Sequence, residues 1–247
     1  MRIKRFGICI AALCASAAVS AATETGDKEP FWLGGDISGM NATRLRVWVN
    51  PKHGFCSPED VLKMAKRSQA LGMPVMIDFH YSDWWADPGK QNPPKAWLGM
   101  TLEQTEKALA DHTRQTLRLL KDNGIDVKWV QVGNETTHGF LWPMGRFEEN
   151  PVNYASLTKA GIKAVREVYP EAEVIIHLDN GFDQGLYDRV FDSLKSNGVE
   201  WDTIGISVYP YWTPEWNAED DYRLGAFSRN MPTVIMDAFK EAASSAR

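Results

Sequence analysis

The chain has 247 residues, of which 44% are hydrophobic and 24% charged, a composition that excludes a disordered or fibrous protein and suffices for one large domain. Its formal net charge of −5 argues against nucleic acid or an anionic membrane as a partner. The ten tryptophans are many for this length, and core packing and stacking on sugar rings both account for them.

Residues 1–22 have the pattern of a secretory signal peptide. Three basic residues precede an apolar run over 6–19, which is too short to cross a bilayer, and small residues end the segment. Cleavage would remove two of the three cysteines and leave 24 basic against 32 acidic residues, a net charge of −8. We therefore expect a periplasmic or extracellular protein in which Cys56 has no intramolecular disulfide partner.

Over residues 23–247, short apolar segments alternate with helical patterns, which is typical of a parallel α/β fold in a single domain. The predicted strands are 31–37, 44–49, 73–79, 127–132, 173–178 and 203–208. Helices are predicted to begin after Ser57, after Thr101, at Asn153 and near Asp183, and a last helix is predicted within 231–247. This pattern predicts about six strands of a (β/α)8 barrel.

Two features of the pattern differ from a complete barrel. About six residues separate the first two predicted strands, whereas a parallel crossover needs about ten to twelve. Either the first strand is displaced or a segment is missing. The six predicted strands are also two fewer than a closed eight-stranded barrel requires.

Polar and aromatic side chains come at the ends of the predicted strands, where the active site of a parallel barrel lies. Side-chain alternation places Arg44, Arg46 and Trp48 on one face of strand 44–49. Asp78 and His80 likewise share one face at the end of strand 73–79. Two inward-facing arginines need anionic partners, so a structural ion pair is the alternative to a functional role.

Further candidates follow the later strands and one long loop. Strand 127–132 is followed by Gly133, Asn134 and Glu135, which places the carboxylate at the barrel mouth. The others are His177, Asp179, Ser207, Tyr209 and Trp212 at or just after the ends of the last two strands, and Trp84, Trp85 and Trp97 in the loop after strand 73–79. We expect hydrogen bonding to sugar hydroxyls and stacking on sugar rings, with barrel-lining or core positions as the alternative.

Five segments carry a resemblance to a known family: Gly-Gly-Asp-Ile-Ser (34–38), Arg-Leu-Arg-Val-Trp-Val-Asn-Pro (44–51), Asp-Phe-His-Tyr-Ser-Asp-Trp-Trp-Ala-Asp-Pro-Gly-Lys-Gln (78–91), Val-Gln-Val-Gly-Asn-Glu (130–135) and Ser-Val-Tyr-Pro-Tyr-Trp (207–212). Together they closely resemble glycoside hydrolase family 53. Its members are endo-β-1,4-galactanases, which cut the galactan side chains of pectin and arabinogalactan. The resemblance spans about residues 31–215.

The resemblance implies a retaining mechanism with two glutamates, whose carboxyl groups lie about 5–5.5 Å apart. Glu135 matches the general acid/base, and Asn134 matches the residue that binds the 2-hydroxyl of the substrate. The positions that match the surroundings of the nucleophile are Arg46, His80 and Tyr209. The further substrate-binding residues that we expect are Trp85, Asp179 and Trp212.

The chain departs from the family pattern in two places. Asp-Ile-Ser runs almost directly into Gly-Met-Asn-Ala-Thr over 36–43, where the first barrel helix belongs. No segment has the Val-Val-Glu-Thr-Gly-like pattern of the strand that carries the nucleophile in the family. No residue is therefore assigned as the nucleophile. We therefore expect a barrel without the first helix and the last two βα units, and impaired hydrolysis.

Galactan hydrolysis by a monomer without metal or cofactor is the first functional hypothesis, with β-1,4-galactan or arabinogalactan as the partner. A non-catalytic galactan-binding protein that uses the same aromatic side chains is the alternative. A related barrel glycosidase acting on mannan or cellulose is disfavoured by the segment 78–83. A metal-dependent hydrolase is disfavoured because no cluster of residues has the spacing of a metal site.

Overall fold

The computed structural model describes residues 7–9, 42–181 and 183–207, and of residues 7–9 only the backbone. The elements in chain order are β1 (Gly7–Cys9), β2 (Thr43–Val47), α1 (Pro58–Ala70), β3 (Val75–Phe79), α2 (Leu102–Asp122), β4 (Val127–Val132), β5 (Gly139–Phe140), β6 (Gly145–Arg146), α3 (Pro151–Val168), β7 (Glu173–Leu178), α4 (Gln184–Ser196) and β8 (Thr203–Ile206). Short 3-10 helices lie at Lys95–Trp97 and Thr136–His138. The predicted strand 31–37 and helix within 231–247, with Tyr209 and Trp212, lie outside the described residues.

Six strands form one parallel sheet in the order β1-β8-β7-β4-β3-β2. The predicted strands between residues 44 and 208 are confirmed, each within two residues of its predicted ends. Gly7–Cys9, inside the predicted signal peptide, pairs in parallel with β8, and the signal peptide stays a prediction. β5 and β6 form a small antiparallel hairpin between β4 and α3, which the sequence pattern did not predict.

Local capping signals set the starts of three helices. Ser57 accepts the backbone N–H of Asp60, and Thr101 forms the predicted capping box with Gln104. Asp183 caps α4 in the same way. The helix predicted at Asn153 is confirmed, but it begins two residues earlier, at Pro151, and the Asn153 amide instead donates to the Met144 carbonyl at 3.1 Å. No helix in the described part of the chain is long and apolar enough to cross a membrane.

The two faces of the sheet have different roles. Outward-facing side chains such as Ile77 and Val130 pack beneath the helices in the main core. The inward face begins with a small apolar cluster that includes Met76, Trp129 and Ile175. Side chains two residues apart on a strand share a face. The next inward-facing position toward the carboxyl end of each strand is therefore two residues after the apolar one. Those positions carry Asp78, Gln131 and His177, so a buried polar layer forms at that end.

The helix α3 packs closely against β4 at Gly161. A methyl group added there would lie 2.7 Å from Cγ1 of Val132, so the helix would have to move away from the sheet. At Gly185, in the first turn of α4, the nearest atom to an added methyl is an oxygen of Asp183 at 3.6 Å, an ordinary contact.

We therefore predict opposite effects for two Gly→Ala substitutions. Gly161→Ala should lower the free energy of unfolding by about 1–3 kcal/mol, because overpacking outweighs the better helix propensity of alanine. Gly185→Ala should raise it by up to about 1 kcal/mol. Urea denaturation of both variants tests this, and equal effects would contradict the close packing of α3 on β4.

Candidate functional site

A buried carboxylate, Asp78, lies at the centre of the polar layer. Its Oδ2 is 2.8 Å from Nη2 of Arg44 and 3.1 Å from Nε2 of His80, and its Oδ1 accepts from the amide of Gln131. Burial opposes the ionisation of Asp78, but the nearby Arg44 and His80 outweigh it and hold the pKa of Asp78 below its usual value. Asp78 thus supplies the anionic partner that the inward-facing Arg44 requires.

His80 is held in one orientation by bonds on both ring nitrogens. Its Nδ1 accepts the backbone N–H of Ala86 at 3.1 Å. The ring proton therefore lies on Nε2 and is donated to Asp78. The imidazole joins the loop after β3 to the buried carboxylate.

The side chain of Asn134 connects three parts of the site. Its Oδ1 accepts from Nη2 of Arg44 at 2.7 Å and from the amide of Gln131 at 3.3 Å. Its Nδ2 donates to the carbonyl of Ala86 at 2.8 Å. An amide bonded in this way links β2, β4 and the loop after β3. Among the described residues, the second N–H of this amide has no acceptor.

Glu135 is buried and has a backbone conformation that is unusual for this residue type. Its φ of 47° and ψ of 53° lie in the left-handed region, which costs a non-glycine residue about 1–3 kcal/mol. Its N–H donates to Nδ1 of His177 at 3.2 Å. The strand β4 therefore ends in a turn that redirects the chain at Glu135, and tertiary contacts hold that turn.

His177 supports this turn as a neutral imidazole. Burial, followed by the charge of Arg44, lowers the pKa of His177 to about 3. Because Nδ1 accepts from Glu135, the ring proton lies on Nε2, which is 2.9 Å from Oγ of Ser207. Oδ1 of Asn134 also lies 3.1 Å from Nδ1. That oxygen already accepts from Arg44, and the tautomer with its proton on Nε2 satisfies the buried N–H of Glu135.

Aromatic side chains border the polar layer beside β2. Trp84 and Trp85 are 54% and 40% exposed, as a role in stacking requires, and the guanidinium of Arg46 lies 3.8 Å from the ring centre of Trp85. Trp48 is buried beneath both rings, 4.8 Å from that of Trp84. The prediction that Trp97 lines a stacking groove was wrong, because this side chain packs in the main core.

Asp179 follows β7 at the same end of the sheet. Its carboxylate accepts a hydrogen bond from the hydroxyl of Thr137, whose oxygen accepts the N–H of Asp179 at 3.0 Å. Burial raises the pKa of Asp179 above its usual value. The structure thus places Asp179 beside the turn that follows Glu135.

The structure brings most of the predicted site residues together. Those that meet in the polar layer or on its border are Arg44, Arg46, Asp78, His80, Trp84, Trp85, Asn134, Glu135, His177, Asp179 and Ser207. Sequence reasoning missed Gln131 and Gln91. Gln131 lies two residues after the inward-facing Trp129, so strand alternation could have identified it, whereas Gln91 lies in a loop without such a register.

Comparisons with known proteins point to one family. The family model described as Glycosyl hydrolase family 53 matches residues 8–235. An uncharacterized protein of Niallia circulans is 40% identical over 196 residues, which cover 76% of this chain and 54% of that protein. The endo-beta-1,4-galactanase of Bacillus subtilis is 36% identical over 183 residues, 71% of this chain and 42% of that one. The chain thus spans about half the length of the curated relatives it matches.

Solved structures of the same family are similar. The GH53 catalytic domain of Ignisphaera aggregans has a TM-score of 0.69 at 39% identity, over 75% of this chain and 52% of that chain. A fungal beta-1,4-galactanase has a TM-score of 0.68 at 34% identity, over 70% and 54% of the two chains. These likenesses confirm the predicted fold class, and the described residues form part of a (β/α)8 barrel.

The neutral state of His177 predicts a pH dependence of stability. The pKa of an unfolded histidine is about 6.5, so between that pH and about 3 the unfolded chain binds one proton more than the folded protein. The free energy of unfolding should therefore fall with decreasing pH across this window, by up to about 1.4 kcal/mol per pH unit from His177.

His177→Gln should remove that part of the slope, whereas His53→Gln, at an exposed position, should leave it in place. Urea denaturation at pH 7, 6, 5 and 4 measures both slopes. Identical slopes for the two variants would show that His177 does not titrate as the structure requires.

Proposed function

The chain belongs to glycosyl hydrolase family 53, and on this basis we propose that its strand-end site serves the endo-hydrolysis of β-1,4-galactosidic bonds in galactan or arabinogalactan. The names of the relatives from Bacillus subtilis and from fungi support this substrate class. The observation that carries the proposal is the placement of Asn134 and Glu135. Both are buried at the mouth of the barrel, and hydrogen bonds fix their backbone and the Asn134 amide.

In the proposed reaction, the carboxyl group of Glu135 donates its proton to the glycosidic oxygen while a second carboxylate attacks the anomeric carbon. The bond to the leaving sugar breaks and a covalent glycosyl–enzyme intermediate forms. The carboxylate of Glu135 then takes a proton from water, whose oxygen attacks the same carbon and releases the second carboxylate. The remaining N–H of Asn134 donates to the 2-hydroxyl of the bound sugar, and Arg46 and His80 border that subsite.

The second carboxylate has no candidate at the described strand ends. Asp78 is bound by Arg44 and His80, and Asp179 accepts the hydroxyl of Thr137. Both carboxylates are therefore engaged within the protein, and neither is placed to attack a sugar. We propose that the nucleophile, if this chain has one, lies outside residues 42–181 and 183–207, and that hydrolysis by the chain alone is impaired.

Glu135→Gln tests the acid/base role. Release of reducing sugar from β-1,4-galactan should fall by roughly 10²- to 10⁴-fold, because the amide cannot protonate the leaving group. A galactoside with a dinitrophenyl leaving group should lose much less, since its departure needs no proton. Glu149→Gln, at a carboxylate 54% exposed between β6 and α3, is the control and should leave both rates unchanged. Unchanged galactan hydrolysis by Glu135→Gln would exclude Glu135 as the general acid.

A non-catalytic galactan-binding protein is the second candidate, favoured by the exposed Trp84 and Trp85. Stacking on these rings requires no nucleophile. Binding of β-1,4-galactotetraose without any release of reducing sugar by the unsubstituted chain would support this candidate over the enzyme.

Trp85→Ala should weaken binding of β-1,4-galactotetraose by roughly three- to tenfold, because an aromatic stacking contact is worth about 0.5–1.5 kcal/mol. Phe55→Ala removes another exposed aromatic ring, 68% exposed on the connection between β2 and α1, and should have no effect. Titration calorimetry measures both variants, with β-1,4-mannotetraose as the ligand control. Equal affinities of the two variants would remove Trp85 from the binding surface.

A further inference from the structure

Gln91, in the loop after β3, binds the backbone on which the acid/base residue sits. Its fully buried Nε2 lies 2.8 Å from the carbonyl oxygen of Asn134 and 3.3 Å from that of Glu135. A third carbonyl, of Asp87, lies 3.1 Å away. Three surrounding acceptors identify this atom as the amide nitrogen, because an amide oxygen there would face only other oxygens.

We propose that Gln91 is a positioning residue for Glu135, an inference that rests on the proposed acid/base role. The peptide unit of Glu135 is held from two sides, since His177 accepts its N–H and Gln91 donates to its carbonyl and to the one before it. These hydrogen bonds hold the backbone of Glu135 in the left-handed conformation, with its φ of 47°. They therefore set the direction in which the carboxyl group of Glu135 points.

The same glutamine connects this turn to the loop that carries the exposed tryptophans. The Gln91 carbonyl accepts the N–H of Trp142 at 2.8 Å, and its side chain holds Asp87 in its own loop. The carbonyl of Ala86, directly after Trp85, accepts from Asn134. The surface proposed to stack on the sugar and the residue proposed to protonate the leaving group therefore belong to one hydrogen-bonded unit.

The other end of the Gln91 side chain shows what the amide contributes. Its Oε1 is buried and has no hydrogen-bond partner in the described part of the chain. A buried acceptor without a partner costs free energy, which an apolar side chain of the same length would avoid. The hydrogen bonds from Nε2 to the three carbonyls offset that cost. Their loss should therefore change the backbone conformation at Asn134 and Glu135.

The sequence offers a direct probe of this contact. Asn134-Glu135 is the only Asn-Glu pair in the chain, so labelling with ¹³C-carbonyl asparagine and ¹⁵N glutamate gives a single carbonyl–amide correlation in an NMR spectrum. Its carbonyl accepts from Gln91 and its amide donates to His177. The resonance therefore reports the hydrogen bonds from Gln91 and to His177 at this peptide unit, whether or not the chain cleaves galactan.

Gln91→Met should move this resonance and lower kcat for galactan by roughly 10- to 100-fold with little change in KM. Gln69→Met is the matched control. Its side chain also bonds the backbone, donating to the carbonyl of Gly124 at 2.8 Å, but at the amino end of β4. This control should leave the resonance and kcat unchanged. An unmoved resonance in folded Gln91→Met, or a moved resonance with unchanged kcat, would overturn the proposal.

Gln91→Glu extends the test if Gln91→Met fails to fold. The introduced carboxyl group donates a hydrogen bond while protonated and faces carbonyl oxygens once ionised, so its pKa should be raised by burial and by those oxygens. The resonance should lie near its original position in acid and move away as pH rises. A resonance whose chemical shift does not depend on pH would count against the hydrogen bond between residue 91 and this turn. Absence of galactan hydrolysis in the unsubstituted chain would favour the non-catalytic binding protein over the enzyme, and the resonance would then decide alone whether Gln91 holds this turn.

Discussion

The site depends on one buried amide, the side chain of Asn134. Its oxygen accepts from Arg44 on β2 and its nitrogen donates to Ala86 in the loop after β3, while its own backbone ends β4. Loss of any of these partners would leave a polar group unsatisfied in the interior, at a cost of about 1–3 kcal/mol. Asp78 completes the arrangement, because its charge compensates the guanidinium that Asn134 binds. The hydrogen bonds that hold the strand ends together thus involve the same Asn134 amide that we propose binds the substrate.

The arrangement explains how a residue with a strained backbone can be held at the barrel mouth. Glu135 lies in the left-handed region, and its N–H is satisfied by His177, which burial keeps neutral and therefore able to accept. A protonated His177 would have no lone pair for that N–H. The burial that lowers the pKa of His177 therefore also keeps its Nδ1 able to accept the N–H of Glu135. Such prior organisation is what proton transfer to a leaving group requires.

More of the fold than of the candidate site could be predicted from the sequence. The helix starts at Ser57 and Thr101 follow from contacts within four residues, so they could be predicted. Asn153 does not cap α3, because the helix begins at Pro151 and the Asn153 amide bonds the carbonyl of Met144. Strand alternation identified the inward-facing residues, and the motif that ends in Glu135 indicated the role that we propose for it. Alternation gives no position for Gln91, whose partners lie 43 and 44 residues away, nor does it predict that Trp97 packs in the core.

The most direct test of this account is hydrogen exchange at the backbone amide of Glu135, observed through the single Asn134–Glu135 resonance. If the turn is held as a rigid part of the barrel, this amide should exchange only through global unfolding, with the same opening free energy as amides in the centre of β4. Exchange through a local opening several kcal/mol below that of Val130 would contradict the account, because the residue proposed as the general acid/base would then be mobile within a folded barrel.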